Sequence, residues 1–490
     1  MTDFNIADTQ AVDEALAQLR ARVADPRADA ADWLAFGQTL LQAAGHKSDQ
    51  QREALAALVR AYQLDPSHEP TLLATIAQTA FIVRDWGLVD SATVVLLAQN
   101  AANANALVWR AVAVQQRNDF SEAERLLREA VRVVPGNPVP LHKLALCVKE
   151  QARFAEAEAL LRQVLELSPQ NALALFDLSE LEIRSGRYAD GWVDYESRMA
   201  FDDQNEGRRA LTPISAYWQG ESLAGKTLVV YGEQGHGDCL WAVRFLPLLA
   251  ERAQREGGRV ILGHEGPLRH LFERMLPQGM TLETSLETKP DFHCGLMSLP
   301  LRLGVVDPSG WGRAYLSADP QRAELWRARV AQSAAVGPKV GLVWNGNPQH
   351  NRDMRRSVPV EQLEPILTVP GITYFALSPG RAATVEAWRA HSIRIVDPTG
   401  QFEAGFDDVA ALLANLDLVV TIDSGPAHLS GALGVPTCLM IDHVSAWFWG
   451  KETQRTPWYD SVELFRQPAI GAWAPVLASV RARLEALAAR

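Results

Sequence analysis

The chain has 490 residues, of which 48% are hydrophobic and 21% charged, and it carries a formal net charge of -11. That length holds about two to four domains, and the composition is that of an ordinary globular protein. The acidic balance argues against a general nucleic-acid or anionic-membrane binder, although a local basic pocket for phosphates remains compatible with it.

The first residues, Met1 to Asp8, lack the basic and apolar regions of a secretory signal. No uninterrupted apolar run approaches the roughly 20 residues needed to cross a bilayer. Cys147, Cys239, Cys294 and Cys438 are scattered without metal-ligand spacing, and nothing in the sequence pairs them. A reducing cytoplasm is the expected location.

The N-terminal part reads as a helical repeat. Trp86, Phe120, Phe154 and Tyr188 recur every 34 residues, and Pro135 and Pro169 share the interval. Each unit predicts two amphipathic helices: in 123–131 and 157–165 a small alanine lets neighbours approach, leucines fill the next turn, and the proline stops the second helix. The pattern resembles the tetratricopeptide repeat, with a degenerate early copy at Trp33, Gly37, Tyr62 and Pro66. That resemblance implies an α superhelix over residues 1–200 whose concave groove binds a peptide or protein. Phe120 and Phe154 read as core, so no groove residue is named.

Residues 201–222 open on a polar, aperiodic stretch and read as a linker. Beyond it, short β-branched or aromatic runs at 227–231, 259–262, 339–344, 372–377 and 418–422 alternate with helical stretches of crossover length. Parallel sheets follow. Residues 316–338 carry one polar helix and no strand, dividing the region into α/β halves at 223–325 and 338–490. Ligands of open parallel sheets collect at the carboxyl ends of the strands, which should bring three loops into one cleft: 232–238, 345–357 and 423–428.

The third loop is the most informative. The strand 418–422 runs into Asp423, Ser424, Gly425, Pro426, Ala427 and His428, then into a small-residue helix. Free amides at such a turn and the helix dipole form an anion cradle, and Gly425 would let a phosphate approach the main chain. The alternative is that Asp423 and Ser424 only cap a helix starting near Ala427. His428 favours the ligand reading, as an imidazole in a first helical turn beside a serine and an aspartate. The first loop, with three glycines before Asp238, lacks the P-loop ending and the dinucleotide fingerprint, so phosphate cradle and simple cap both stand. In the second, Arg352, Arg355 and Arg356 suit oxyanions, against the alternative of a solvated loop.

Residues 217–238, 340–347, 423–429 and Trp458-Tyr459, in that order, resemble bacterial repeat-linked glycosyltransferases, whose catalytic half is similar to the ADP-heptose transferases of lipopolysaccharide synthesis (glycosyltransferase family 9). The resemblance implies a GT-B fold of two Rossmann-like halves, the first for acceptor and the second for nucleotide sugar, with inverting, metal-independent transfer. It makes Asp238 the general base and Arg356 the phosphate-binding cation. Asn345, Gly346, Ser424, Gly425 and His428 would line the diphosphate, and Asp423 and His236 would contact donor sugar or acceptor. No cofactor is implied beyond the nucleotide-sugar substrate, and from residue 223 onward there is no Asp-X-Asp pair for a divalent ion. His236 stands where many relatives carry an apolar residue, and Asp423-Ser424 replaces the commoner Asp-Thr. The plan is similar to that of O-GlcNAc transferase, without that family's uridine-binding pattern.

The leading expectation is transfer of a sugar to a hydroxyl of a protein acceptor held by the repeats, with flagellin or another surface protein as candidates. The alternatives are a glycan or lipid-linked acceptor, with the repeats recruiting partners, and a non-catalytic nucleotide-binding scaffold. Trp447, Trp449, Trp458 and Tyr459 read as core aromatics before sugar-stacking ones.

Overall fold

The computed structural model describes residues 6–44, 48–67, 71–201, 205–263, 266–285, 289–333, 336–350, 352–451 and 454–490. The expected loop residue Asn351 and residues Met1 to Asn5 lie outside them. The chain divides into two compact units, Met1–Asn171 and Ala172–Arg490.

Among the described residues the first unit holds nine helices: α1 (Ile6–Val23), α2 (Ala30–Ala44), α3 (Ser48–Leu64), α4 (Leu72–Val83), α5 (Trp86–Gln99), α6 (Ala104–Gln115), α7 (Phe120–Val133), α8 (Pro138–Lys149) and α9 (Phe154–Leu167). Local chemistry sets their ends. Asp119 accepts a hydrogen bond from the Glu122 amide to start α7, and Asn137 with Pro138 behind it starts α8. On α7 the expected alanine–leucine face, Ala123, Leu127 and Ala130, is fully buried, while Glu122, Glu129 and Arg132 point outward. The turn inside each repeat has a period of its own: Arg84, Asn118, Ala152 and, in the second unit, Gly186 stand 34 residues apart, all with φ between 59° and 87°. Only the glycine occupies that left-handed region at no steric cost.

In the second unit, α10 (Ala172–Arg184) and α11 (Tyr188–Tyr195) have repeat geometry but belong to the α/β core. Ile183, Trp192 and Tyr195 are buried in that core, and the Trp192 indole donates to the Val305 carbonyl at 2.8 Å. The contact boundary therefore falls at 171/172, ahead of the expected 200. The expected linker is not a tether either. It supplies α12 (Glu206–Leu211), whose Leu211 packs on Val229, Tyr231 and Ile261, and β1 (Ala216–Tyr217), which pairs with a later strand. Apolar residues spaced for these contacts lie outside the polar stretch on which the linker reading rested.

The first half continues with β2 (Thr227–Tyr231), α13 (His236–Ala242), α14 (Leu246–Glu256), β3 (Arg259–Gly263), α15 (Arg269–Met275), β4 (Met280–Glu283), β5 (Phe292–Gly295) and α16 (Leu299–Arg302), and α17 (Pro320–Gln332) follows. Its sheet is parallel, in the order β1-β5-β2-β3-β4. The second half holds β6 (Lys339–Leu342), α18 (Asp353–Arg356), α19 (Glu364–Leu367), β7 (Thr373–Ala376), α20 (Ala382–Ala390), β8 (Ile395–Val396), α21 (Phe406–Leu413), β9 (Leu418–Ile422), α22 (Gly425–Leu433), β10 (Thr437–Ile441), β11 (Arg455–Thr456), β12 (Tyr459–Arg466) and α23 (Trp473–Ala488). Its order is β11-β12-β10-β9-β6-β7-β8, parallel except for the β11–β12 pair. Continuous apolar runs such as Leu418–Ile422 are buried on both sheet faces, as helix-covered parallel strands require.

The halves meet around aromatic side chains. Trp241, at the end of α13, packs edge-on against Trp447 and Trp458, each with ring centroids 5.0 Å apart. Beside it the buried Arg244 guanidinium donates to the carbonyls of Trp458 (2.7 Å) and Trp311 (2.9 Å). Trp447, Trp449, Trp458 and Tyr459 are thus core residues. All four cysteines are buried free thiols. Among the described residues no helix is long and apolar enough to cross a membrane.

Candidate active site

The three loops converge. A cavity of about 750 Å³ between the two halves is lined by 234–238 after β2, by Asn345, Gly346, His350, Arg352 and Arg356 after β6, and by 423–426 after β9. Asp238, Arg356 and Ser424 share it.

Asp238 lies in the first turn of α13. Its Oδ2 accepts from the Gly235 amide at 2.8 Å, closing the turn from within. Burial of the carboxyl, helped by the charges of Asp423 and Glu233, pushes its pKa up to about 7 against the bonds from the main chain. His236 projects beside it, its ring edge-on to Phe406 of α21 at 5.3 Å, a contact that crosses the cleft. The surrounding protein lowers the His236 pKa.

On the opposite wall α22 begins at Gly425, two residues earlier than expected. Ser424 holds the N-cap position with extended backbone, yet its hydroxyl turns back to the Ile422 carbonyl (3.1 Å) and makes no capping bond to the helix. The capping alternative therefore does not account for Ser424. A Cβ on Gly425 would touch only the Phe406 ring, at 3.6 Å, so the face of the first turn is open. Arg356 reaches across to this turn, donating from Nη1 to the Asp423 carbonyl at 3.0 Å and from Nε to Asp353 at 3.3 Å. Gly346 lies beneath the guanidinium: a Cβ there would stand 2.5 Å from Arg356 Nη2 and 2.5 Å from Asp353 Oδ1. The Gly346 amide donates to Ser357 Oγ at 3.0 Å.

His428 differs from its expected role. It lines the cavity floor, but its side chain is 4% exposed, and its Nδ1 meets the Tyr459 hydroxyl at 2.9 Å. Burial, with the nearby Arg244 charge, brings its pKa down to about 3, so the ring is neutral and supplies no charge to a diphosphate. It supports the first loop instead, since a Cβ on Gly237 would stand 2.7 Å from its ring. The sequence could not separate a first-turn histidine facing a ligand from one facing Tyr459.

Arg352 is tied to the buried Asp442, at 2.8 Å, and to the Val444 carbonyl. Arg355 is not among the residues lining the cavity. Two lining residues carry buried side-chain oxygens without a hydrogen-bond partner among the described residues, Asn345 Oδ1 and Ser378 Oγ. Such atoms are costly when left unmet, and a bound polar ligand would satisfy them. Ser378 and Asp442 were not anticipated. Each is the first polar residue after an apolar strand, β7 and β10, so the rule that pointed to the other loops also covered them.

The chain thus combines helices of repeat geometry with two parallel-sheet halves that enclose one polar cleft. Residues 149–191 match the tetratricopeptide repeat family, and residues 403–466 match glycosyltransferase family 9 (heptosyltransferase). Protein FlbA of Caulobacter vibrioides is 30% identical over 324 residues, covering 62% of this chain and 53% of FlbA. The chain thus spans about half the length of that relative. Among solved structures, a glycosyl transferase family 9 protein from Veillonella parvula aligns over 55% of this chain and 99% of its own, at 14% identity and a TM-score of 0.41. A thermophilic tetratricopeptide-repeat protein of Thermus thermophilus aligns over 37% of this chain and 95% of its own, at 20% identity and a TM-score of 0.30.

Proposed function

We propose that the second unit moves a sugar from a nucleotide-sugar donor to a hydroxyl of a protein acceptor, with inversion and without a divalent metal. The observation that carries this reading is the meeting of Asp238, Arg356 and the uncapped start of α22 in one cavity. In the first half Asp238 takes the acceptor's hydroxyl proton as the oxygen attacks the anomeric carbon. The bond from that carbon to the diphosphate breaks on the opposite side, and the electron pair leaves with the nucleoside diphosphate. A single displacement inverts the anomeric centre. A carboxyl whose pKa lies at about 7 is matched to a base working near neutrality.

The leaving diphosphate gathers negative charge, which Arg356 and the first-turn amides of α22 meet in place of a metal ion. Asp423 and His236 contact the sugar or the acceptor, and Asn345 with Gly346 line the diphosphate. The repeat match at 149–191 supports a protein acceptor, because stacked repeats present binding surface and no chemistry.

The test is a panel of nucleotide sugars incubated with the purified chain, reading nucleoside diphosphate release and melting temperature. A donor should release diphosphate at a rate that EDTA leaves unchanged and raise the melting point with the logarithm of its concentration. Binding of a nucleoside diphosphate without turnover of any donor would leave a scaffold, and no binding at all would end the proposal.

A further inference from the structure

The loop that carries Asp238 is anchored residue by residue, and three of its anchors, Tyr195, Arg198 and Asn205, come from residues 195–205, ahead of the first sheet. Asn205 Nδ2 donates to the Gly232 carbonyl at 3.2 Å. Glu233 is buried, and Arg198 grips its carboxylate with two bonds, Nη2 to Oε1 at 2.7 Å and Nε to Oε2 at 3.1 Å. The same Oε1 accepts from the Met297 amide at 2.9 Å, and a Cβ on Gly295 would stand 2.1 Å from it, so Gly295 leaves the space this carboxylate occupies. Gln234 has φ 61°, a left-handed conformation that a residue other than glycine holds only when its surroundings fix it. Its side chain is held by the Tyr195 hydroxyl, which donates to Gln234 Oε1 at 2.9 Å. One residue on, the Gly235 amide donates to the Asp238 carboxylate itself.

Tyr195 ends α11, and Arg198 lies in the helical turn that follows it. Arg198 is itself fully engaged, with further bonds to Glu196 (2.7 Å), Ser298 (2.6 Å) and the Tyr195 carbonyl (3.1 Å). A planar fork satisfied on every side and 1% exposed fixes direction as well as distance.

We infer that Tyr195 and Arg198 are positioning residues for Asp238, so that α11 and the turn after it are a working part of the transfer site. The inference rests on the proposed role of Asp238 as base. It predicts that weakening these anchors loosens loop 232–238 and slows the chemical step while leaving donor binding intact, because the diphosphate is held by elements after β6 and β9.

The experiment uses Tyr195→Phe and Gln234→Gly in the full chain. The first deletes one hydroxyl. The second deletes the acceptor and also tolerates the left-handed backbone, so it folds even if the first does not. Amide hydrogen exchange across 232–238 should quicken about tenfold, the ratio expected for one lost hydrogen bond. In Tyr195→Phe, whose altered atom lies outside the cavity lining, kcat should fall about tenfold, with donor KM and nucleoside diphosphate affinity within about twofold of the parent. Unchanged exchange in both folded variants overturns the inference whatever the activity, and so does faster exchange with unchanged kcat. Faster exchange in a chain whose parent transfers no sugar sustains the anchoring and removes the glycosyltransfer reading instead.

Discussion

Replacing Asp238 by asparagine should abolish transfer and, at alkaline pH, make the protein more stable. The side chain keeps its size, and its amide oxygen can still accept from the Gly235 amide. What disappears is the charge. The native carboxyl is raised from 3.8 to about 7, so the folded chain binds this proton more tightly than the unfolded chain does. The consequence for stability has a definite sign. Below about pH 4 both states are protonated and nothing is lost. Between pH 4 and 7 the unfolded state ionises first and folding weakens, and above pH 7 the full cost is present. Three pKa units at 1.36 kcal/mol each set a ceiling of ~4 kcal/mol. The carboxyl is only half-buried, and solvent screening reduces the expected gain to about 1–2 kcal/mol at pH 8, of which roughly a third remains at pH 5. Urea unfolding followed by tryptophan fluorescence reads the relevant unit. Of the 14 tryptophans only Trp33, Trp86 and Trp109 lie before residue 172. A variant equally stabilised at both pH values, or destabilised at pH 8, would refute the claim that burial holds this carboxyl near neutrality.

Arg356→Ala should weaken nucleoside diphosphate binding by about 10- to 100-fold by calorimetry, the worth of a charge-assisted hydrogen-bonding partner, with Arg356→Lys recovering only part. Gly346→Ala puts a methyl group 2.5 Å from the same guanidinium and should reproduce much of that loss while the unfolding midpoint moves little, because the arginine is a movable side chain. Ala152→Gly removes a β-carbon from a residue at φ 59° and should raise the urea midpoint of the first unit by the equivalent of about 0.5–1 kcal/mol. A lowered midpoint would contradict the strain assigned to that turn.

The helical array was legible because Phe120 and Phe154 and the alanine ladders repeat what stacking needs. The left-handed turns at Arg84, Asn118 and Ala152 were not, because only at Gly186 does the residue type announce the backbone. The strands at 227–231 and 418–422 form as their apolar runs dictate. The convergence of their loops followed from the geometry of parallel sheets rather than from any one motif. Side-chain direction was beyond reach: Ser424 turns back onto the Ile422 carbonyl two residues before it, and His428 turns inward to Tyr459, a tertiary neighbour far away in sequence. The join at 172 was hidden for the same reason, since Trp192 satisfies the repeat pattern and the α/β core alike.

Arg244 and the aromatic rings around Trp241 lie at the far end of the short helix whose beginning carries Asp238. Any opening of the cleft that keeps those buried bonds must therefore pivot there. Displacement then grows with distance from the pivot, so the edge where His236 meets Phe406 parts furthest, whereas the base, two residues nearer, travels less. Admission of substrate and alignment of the reacting groups are in this way assigned to different radii of one lever.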